Sequence, residues 1–142
     1  MSTFYLEIKS MRAFRRYHLE EKIRFLGDLS ADEMRQAFLE ANVFALTSTL
    51  ENSPNSLGEA MLLGVPSVAA DVGGVHNLLT DETEGFIYRS GDVTALAKQI
   101  IRLFAMEEEA SRLGESARSH AKKTHDPGNN LRELIKIYNE IR

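Results

Sequence analysis

Two glutamates, Glu51 and Glu59, bracket a run of small and turn-forming residues, Asn52-Ser53-Pro54-Asn55-Ser56-Leu57-Gly58. A carboxylate held at such a turn needs hydrogen-bond donors, which ligand hydroxyls or protein amides can supply. The run between them reads as the start of a helix. Ser53 fits the N-cap, Pro54 the first helical position, and Gly64 followed by Pro66 marks the end. The free amides of Asn55 and Ser56, with Leu57 as a third, would then form the positive end of a short helix, where anions bind. Glu59 is the odder of the two carboxylates. Leu57, Ala60, Met61, Leu62 and Leu63 make the helix apolar nearly all round, and an ionised group there is costly without donors. Ligand hydroxyls or protein amides would supply them.

The elements that must position these residues alternate in type. Val43-Phe44-Ala45-Leu46 is a buried strand just before the glutamate loop, and Val65 to Ala70 is the next strand, with Pro66 confined to its beginning. Asp71-Val72-Gly73-Gly74 makes a tight loop before a short helix, Val75 to Leu79. Upstream, Ile23 to Leu26 reads as a strand closed by Gly27. Ser30-Ala31-Asp32-Glu33 is a capping box that starts a helix with Met34, Ala37, Phe38 and Ala41 facing inward. Gly85 to Tyr88 is the last strand. Asp92 caps a helix with a stripe of Leu96, Ile100, Leu103 and Phe104, and Glu107 to about Lys122 forms another. A final helix after Asp126-Pro127-Gly128 carries Leu131, Leu134, Ile135, Tyr138 and Ile141 at helical spacing. Near the N-terminus, Tyr5 to Leu19 has amphipathic spacing with a basic outer side. Strands alternating with helices predict an α/β layer fold with a parallel sheet and helices on both faces.

Glu51, seven residues, then Glu59-Ala60-Met61 resembles the E-x7-E signature of the retaining, GT-B-type nucleotide-sugar glycosyltransferases, the large family 4 group. Ile23-Arg24-Phe25-Leu26-Gly27 upstream, and Gly64-Val65-Pro66-Ser67-Val68-Ala69-Ala70 and Gly73-Gly74 downstream, keep the family's order. The resemblance runs from about Ile23 to Phe104, which is far more specific than two glutamates. It implies a Rossmann-like parallel sheet, half of a GT-B fold, lacking the first two strands of that lobe. Residues 1–142 would then be a single incomplete C-terminal donor-binding domain. The resemblance gives Glu51 the catalytic task of orienting the donor hexose, as a positioning carboxylate and not a nucleophile. It gives Glu59 the nucleotide ribose. Ser53, Pro54, Asn55, Ser56 and Leu57 would line the sugar phosphates, and Gly27 and Leu29 the base. It implies a nucleotide diphosphate sugar as substrate, with no cofactor and no metal. The sequence departs from the pattern at Asn52-Ser53, where the family has Gly-Phe or Ser-Phe, and at His76-Asn77, where it has Pro-Glu.

Bulk properties narrow the alternatives. With 142 residues the chain has one domain's length, enough for a real core. A net charge of −4 opposes general nucleic-acid binding. There are no cysteines, which removes disulfide and thiolate chemistry, and His18, His76, His120 and His125 lack metal-ligand spacing. Asp81-Glu82-Thr83-Glu84 reads as a solvated turn. No apolar run approaches the roughly 18 residues of a membrane span, so a cytoplasmic protein, peripheral to the membrane in its full-length form, is the expectation.

In the family the acceptor is bound by a separate N-terminal lobe, so that lobe is an expected partner and this chain alone is expected to be inactive. An open strand edge next to Val43–Leu46 would expose apolar sheet, and a second copy of the chain is a candidate to cover it. The competing function is a non-catalytic α/β interaction module that assembles with another chain. A dinucleotide-binding or receiver domain is opposed by the lack of G-x-G-x-x-G after a strand. The resemblance implies a place in polysaccharide biosynthesis.

Overall fold

Short apolar strands and small-residue helix faces build the architecture. The computed structural model describes residues 15–141. The chain divides into two compact units, residues 1–32 and 33–142, with the boundary in the first turn of α1 (Ala31–Glu40). Then follow β1 (Phe44–Leu46), α2 (Asn55–Leu63), β2 (Ser67–Asp71), α3 (Val75–Leu78), β3 (Phe86–Arg89), α4 (Val93–Ala105), α5 (Glu107–Thr124) and α6 (Pro127–Glu140). The strands form one parallel sheet in the order β1-β2-β3, with Ala45 beside Val68 and Ala69 beside Ile87. β2 is central and buried from Ser67 through Ala70. Its one buried polar side chain, Ser67, donates to the Val65 carbonyl at 2.9 Å, so that hydroxyl is satisfied within the core.

Successive side chains of a strand point to opposite faces, and here each face has its own core. Ala69 joins Leu46, Leu57, Met61, Val75 and Leu79 beneath α2 and α3. Val68 and Ala70 join Phe86, Tyr88 and Leu103 beneath α4. α5 serves both cores, giving Ala110 and Leu113 to the second and Ala117 and Ala121 to the first. Helices therefore lie on both faces, as the alternating pattern predicts. Each fully buried Leu, Met or Phe contributes about 1.5–3 kcal/mol. Phe38 of α1 packs with Ala60 and Val65, its ring edge-on to Phe44 at 5.4 Å. At the α4–α5 corner Arg102 makes a two-pronged pair with Glu109, at 2.6 and 2.9 Å, and lies over the Phe86 ring. This charge-assisted bond lifts the Arg102 pKa above its ordinary value.

Four expectations need correction or lie outside view. Ile23–Leu26 is not a strand: Arg24 interrupts the apolar run, Phe25 and Leu26 are exposed, and a strand exists only through a ladder, which these residues do not enter. The helix expected over Tyr5–Leu19 falls mostly on residues outside the described range; within it Arg15 and Arg16 are helical and Tyr17 and His18 turn. In α4 the buried residue is Leu103, with Leu96 and Ile100 half-buried, whereas Phe104 faces outward. α6 forms where its spacing puts it, with Asp126 accepting from the Asn129 amide as N-cap, yet no α6 residue is buried. Helical periodicity identifies an apolar face but not whether anything covers it.

Candidate functional site

In a parallel sheet the carboxyl ends of all strands lie on one side, and ligands bind in the loops gathered there. Residues 47–54 follow β1 and residues 72–74 follow β2. The two loops are joined backbone to backbone. The Gly74 amide donates to the Asn52 carbonyl at 2.9 Å. Gly73 has φ of 51°, the left-handed region, and a Cβ placed on it would collide with the Glu51 carbonyl oxygen. A Cβ on Gly74 would likewise collide with the Asn52 carbonyl oxygen. Only a glycine pair permits this approach. Glu51 is half-buried at the junction, and its carboxylate has no partner among the described residues.

The next helix starts at the same edge. Pro54, not Ser53, is the N-cap of α2: its ψ of 101° is extended, and its carbonyl accepts from the Leu57 and Gly58 amides at 3.1 and 3.3 Å. No side chain caps this end, and Ser53 stands exposed. Leu57 therefore spends its amide inside the protein and cannot serve as a third donor to a ligand. The Asn55 and Ser56 amides have no acceptor among the described residues, and they carry the positive end of the helix. Leu57, Gly58, Ala60 and Met61 face the core. Asn55 and Glu59 are both exposed and one turn apart, so they share a stripe of the solvent face. The expected burial of Glu59 is thus corrected. The helix is apolar on one side only, and the carboxylate incurs no desolvation cost. Gly64 ends the helix with φ of 76°, and the Val65 amide reaches back to the Ala60 carbonyl at 2.9 Å.

A substitution isolates the free amides. Asn55 is the first helical residue, a position where proline is tolerated, and the extended Pro54 before it suits a following proline. Asn55→Pro is expected to leave the melting temperature nearly unchanged and to weaken about fivefold the binding of a phosphate-type anion at this helix end, read by calorimetry.

The remaining candidates lie on other segments of the sequence. Gly27 and Leu29 belong to the N-terminal unit, where Gly27 has φ of 69° in open space and Leu29 is half-buried. His76, exposed in the single turn of α3, binds Asp71 Oδ1 through Nε2 at 2.9 Å. The turn of Asp81 to Glu84 is not simply solvated. Asp81 accepts from the Glu82 and Ile87 amides, while Glu84 is buried and accepts from the Thr80 amide at 2.8 Å. Glu84 Oε1 also lies 2.8 Å from His120 Nδ1, an ion-pair distance without hydrogen-bond alignment. Among the described residues no group of three His, Asp or Glu could hold a metal ion, and no helix is long and apolar enough to cross a membrane. Sequence reasoning missed the pairing of Asp71 with His76; the signal available was a carboxylate and an imidazole on either side of a glycine turn.

A parallel three-stranded sheet, helices on both faces, and loops with free helix amides at the carboxyl edge together define a Rossmann-like fold that matches one lobe of the GT-B glycosyltransferases. The chain belongs to the group 1 glycosyl transferases, whose family model matches residues 10–120. It is 32% identical over 102 residues to the sulfoquinovosyl transferase SQD2 of Arabidopsis thaliana, covering 70% of this chain and 20% of that protein. It is 33% identical over 101 residues to the N-acetyl-alpha-D-glucosaminyl L-malate synthase of Bacillus anthracis, covering 71% and 26%. Among solved structures, Anabaena Alr3699/HepE in complex with UDP-glucose superposes with a TM-score of 0.82 at 25% identity, covering 87% of this chain and 34% of that one. The chain thus spans about a fifth to a third of the length of these relatives.

Proposed function

We propose that this chain is the donor-binding lobe of a retaining, family 4 glycosyltransferase that takes a hexose from a nucleotide diphosphate sugar of the UDP-glucose type. The observation that carries the reading is the clasp of Gly73-Gly74 on Glu51-Asn52, which holds the signature glutamate at the edge where α2 opens its free amides. In this reading Glu51 accepts hydroxyls of the hexose and Glu59 those of the ribose. Asn55 and Ser56 amides meet the phosphate oxygens, where negative charge grows as the leaving group departs. The bond from the sugar C1 to phosphate oxygen breaks and its electron pair stays with the diphosphate. An acceptor hydroxyl adds to C1 on the same face, and its proton passes to that phosphate oxygen. Glu51 orients and does not attack. The reading assigns no metal or cofactor.

The acceptor, a saccharide or lipid in polysaccharide biosynthesis, is held by a partner lobe in the cytoplasm at the membrane periphery. Donor binding alone is therefore the property to test, since catalysis needs both substrates in one cleft. Titrating the chain with UDP-glucose should release heat with one-to-one stoichiometry. Glu59→Ala is expected to weaken binding about tenfold, the loss of one charge-assisted contact, with an unchanged melting temperature because Glu59 is exposed and has no partner among the described residues. The second reading, an interaction module, draws on the uncovered apolar stripe of α6. It predicts no heat with any UDP, GDP or ADP sugar and no effect of Glu59→Ala.

A further inference from the structure

We propose that Asp71 and His76 form a positioning latch: their contact fixes the Gly73-Gly74 turn and thereby the Glu51 loop that the turn holds. The inference rests on the donor reading above for its consequence in binding, but its structural core is independent of it. Asp71 is the last residue of β2 and His76 the second residue of α3. The 2.9 Å contact from His76 Nε2 to Asp71 Oδ1 closes a ring around Val72, Gly73, Gly74 and Val75. Inside that ring the Gly74 amide reaches out to Asn52, and the Val75 amide reaches back to Val72 at 3.2 Å.

The turn needs such a tie. Two adjacent glycines have more backbone freedom than any other pair, and freedom lost on ordering weakens whatever they hold. α3 is a single turn with no side-chain cap at Gly74, so its own hydrogen bonds anchor it poorly. Asp71 lies in register with Arg89 on the neighbouring strand, yet among the described residues its side-chain contact is the hydrogen bond with His76 and not one with that guanidinium. The side chains are 54% and 59% exposed, so the pair adds little to global stability. That separates its two effects: losing it should loosen the turn while leaving both cores intact.

The test uses the full, isotope-labelled chain and two readouts, hydrogen exchange at each amide and calorimetric titration with UDP-glucose. In His76→Ala and Asp71→Ala the Gly74 amide should exchange several-fold faster, while Val68 and Ala69 in the central strand stay as protected as before. UDP-glucose affinity should fall about three- to fivefold in both variants. His76→Gln, whose side-chain amide can donate to Asp71, should restore both. Unchanged exchange at Gly74 in His76→Ala overturns the latch, whatever the donor does. So does an affinity loss with Gly74 unmoved, which would make His76 a direct ligand contact. Failure of the unsubstituted chain to take up UDP-glucose refutes the donor reading instead, and is seen before any variant is made.

Discussion

Gly73→Ala is expected to lower stability by about 3 kcal/mol and to abolish measurable binding of UDP-glucose. Two costs combine. A side chain at φ of 51° costs about 1–2 kcal/mol in backbone strain. The new Cβ also falls on the Glu51 carbonyl oxygen, which is backbone and cannot swing aside as a side-chain tip can. Overpacking of this kind costs about 1–3 kcal/mol and is relieved only by parting the loops. Once they part, the bond from Gly74 to Asn52 goes and Glu51 leaves the edge where the α2 amides open. Gly91→Ala is the control, with φ of 84° and nothing within 4 Å of the added carbon. It should show the strain alone, about 1–2 kcal/mol, with donor binding retained. Thermal melts and calorimetry on both proteins decide it. Equal melting temperatures would mean the loops do not touch as described.

The contrast shows what could be read from sequence. Gly73-Gly74 stands out as a glycine pair after a strand, but nothing in the letters says that its neighbour is the backbone of Glu51, some twenty residues earlier. Periodicity located β1, β2 and β3, because an apolar run between turn signals has few other uses. It also placed Ile23–Leu26 as a strand, since four residues with three apolar ones satisfy the same template; a ladder partner is a tertiary fact that composition does not contain. The helix opening at Asn55 was legible from Pro54 and Gly64, although the cap fell one residue later than Ser53, and that single step commits the Leu57 amide to Pro54.

Burial was the least legible property. Glu59 reads as buried because five apolar residues surround it in sequence, yet it lies on the stripe one turn from Asn55 and faces solvent. Glu84 reads as solvated among Asp81, Glu82 and Thr83, yet it is buried, with the Thr80 amide and His120 against it. Both errors have one origin. Local composition describes the neighbours along the chain, and a carboxylate's cost depends on neighbours in space.

Gly114→Ala decides how far α2 depends on the helix behind it. In the interior of an isolated helix this change stabilises, by about 0.5–1 kcal/mol, because alanine loses less backbone freedom than glycine. Here the sign should reverse. Gly114 lies in the middle of α5, fully packed, and a Cβ on it would overlap the carbonyl oxygen of Gly64, the residue that ends α2. Gly64 holds a left-handed φ of 76° and cannot shift without undoing its bonds to Ala60 and Met61. The overpacking cost, at about 1–3 kcal/mol, therefore exceeds the gain in helix propensity. The helix pair that buries Leu57 and Met61 against Ala117 and Ala121 must open slightly as well. A net loss of about 2 kcal/mol corresponds to a fall of roughly 6 °C in melting temperature for a chain of this size. UDP-glucose affinity should drop far less than in Gly73→Ala, because the Asn55 and Ser56 amides sit at the other end of α2. A rise in melting temperature would show that α5 and α2 stand further apart than their glycines require.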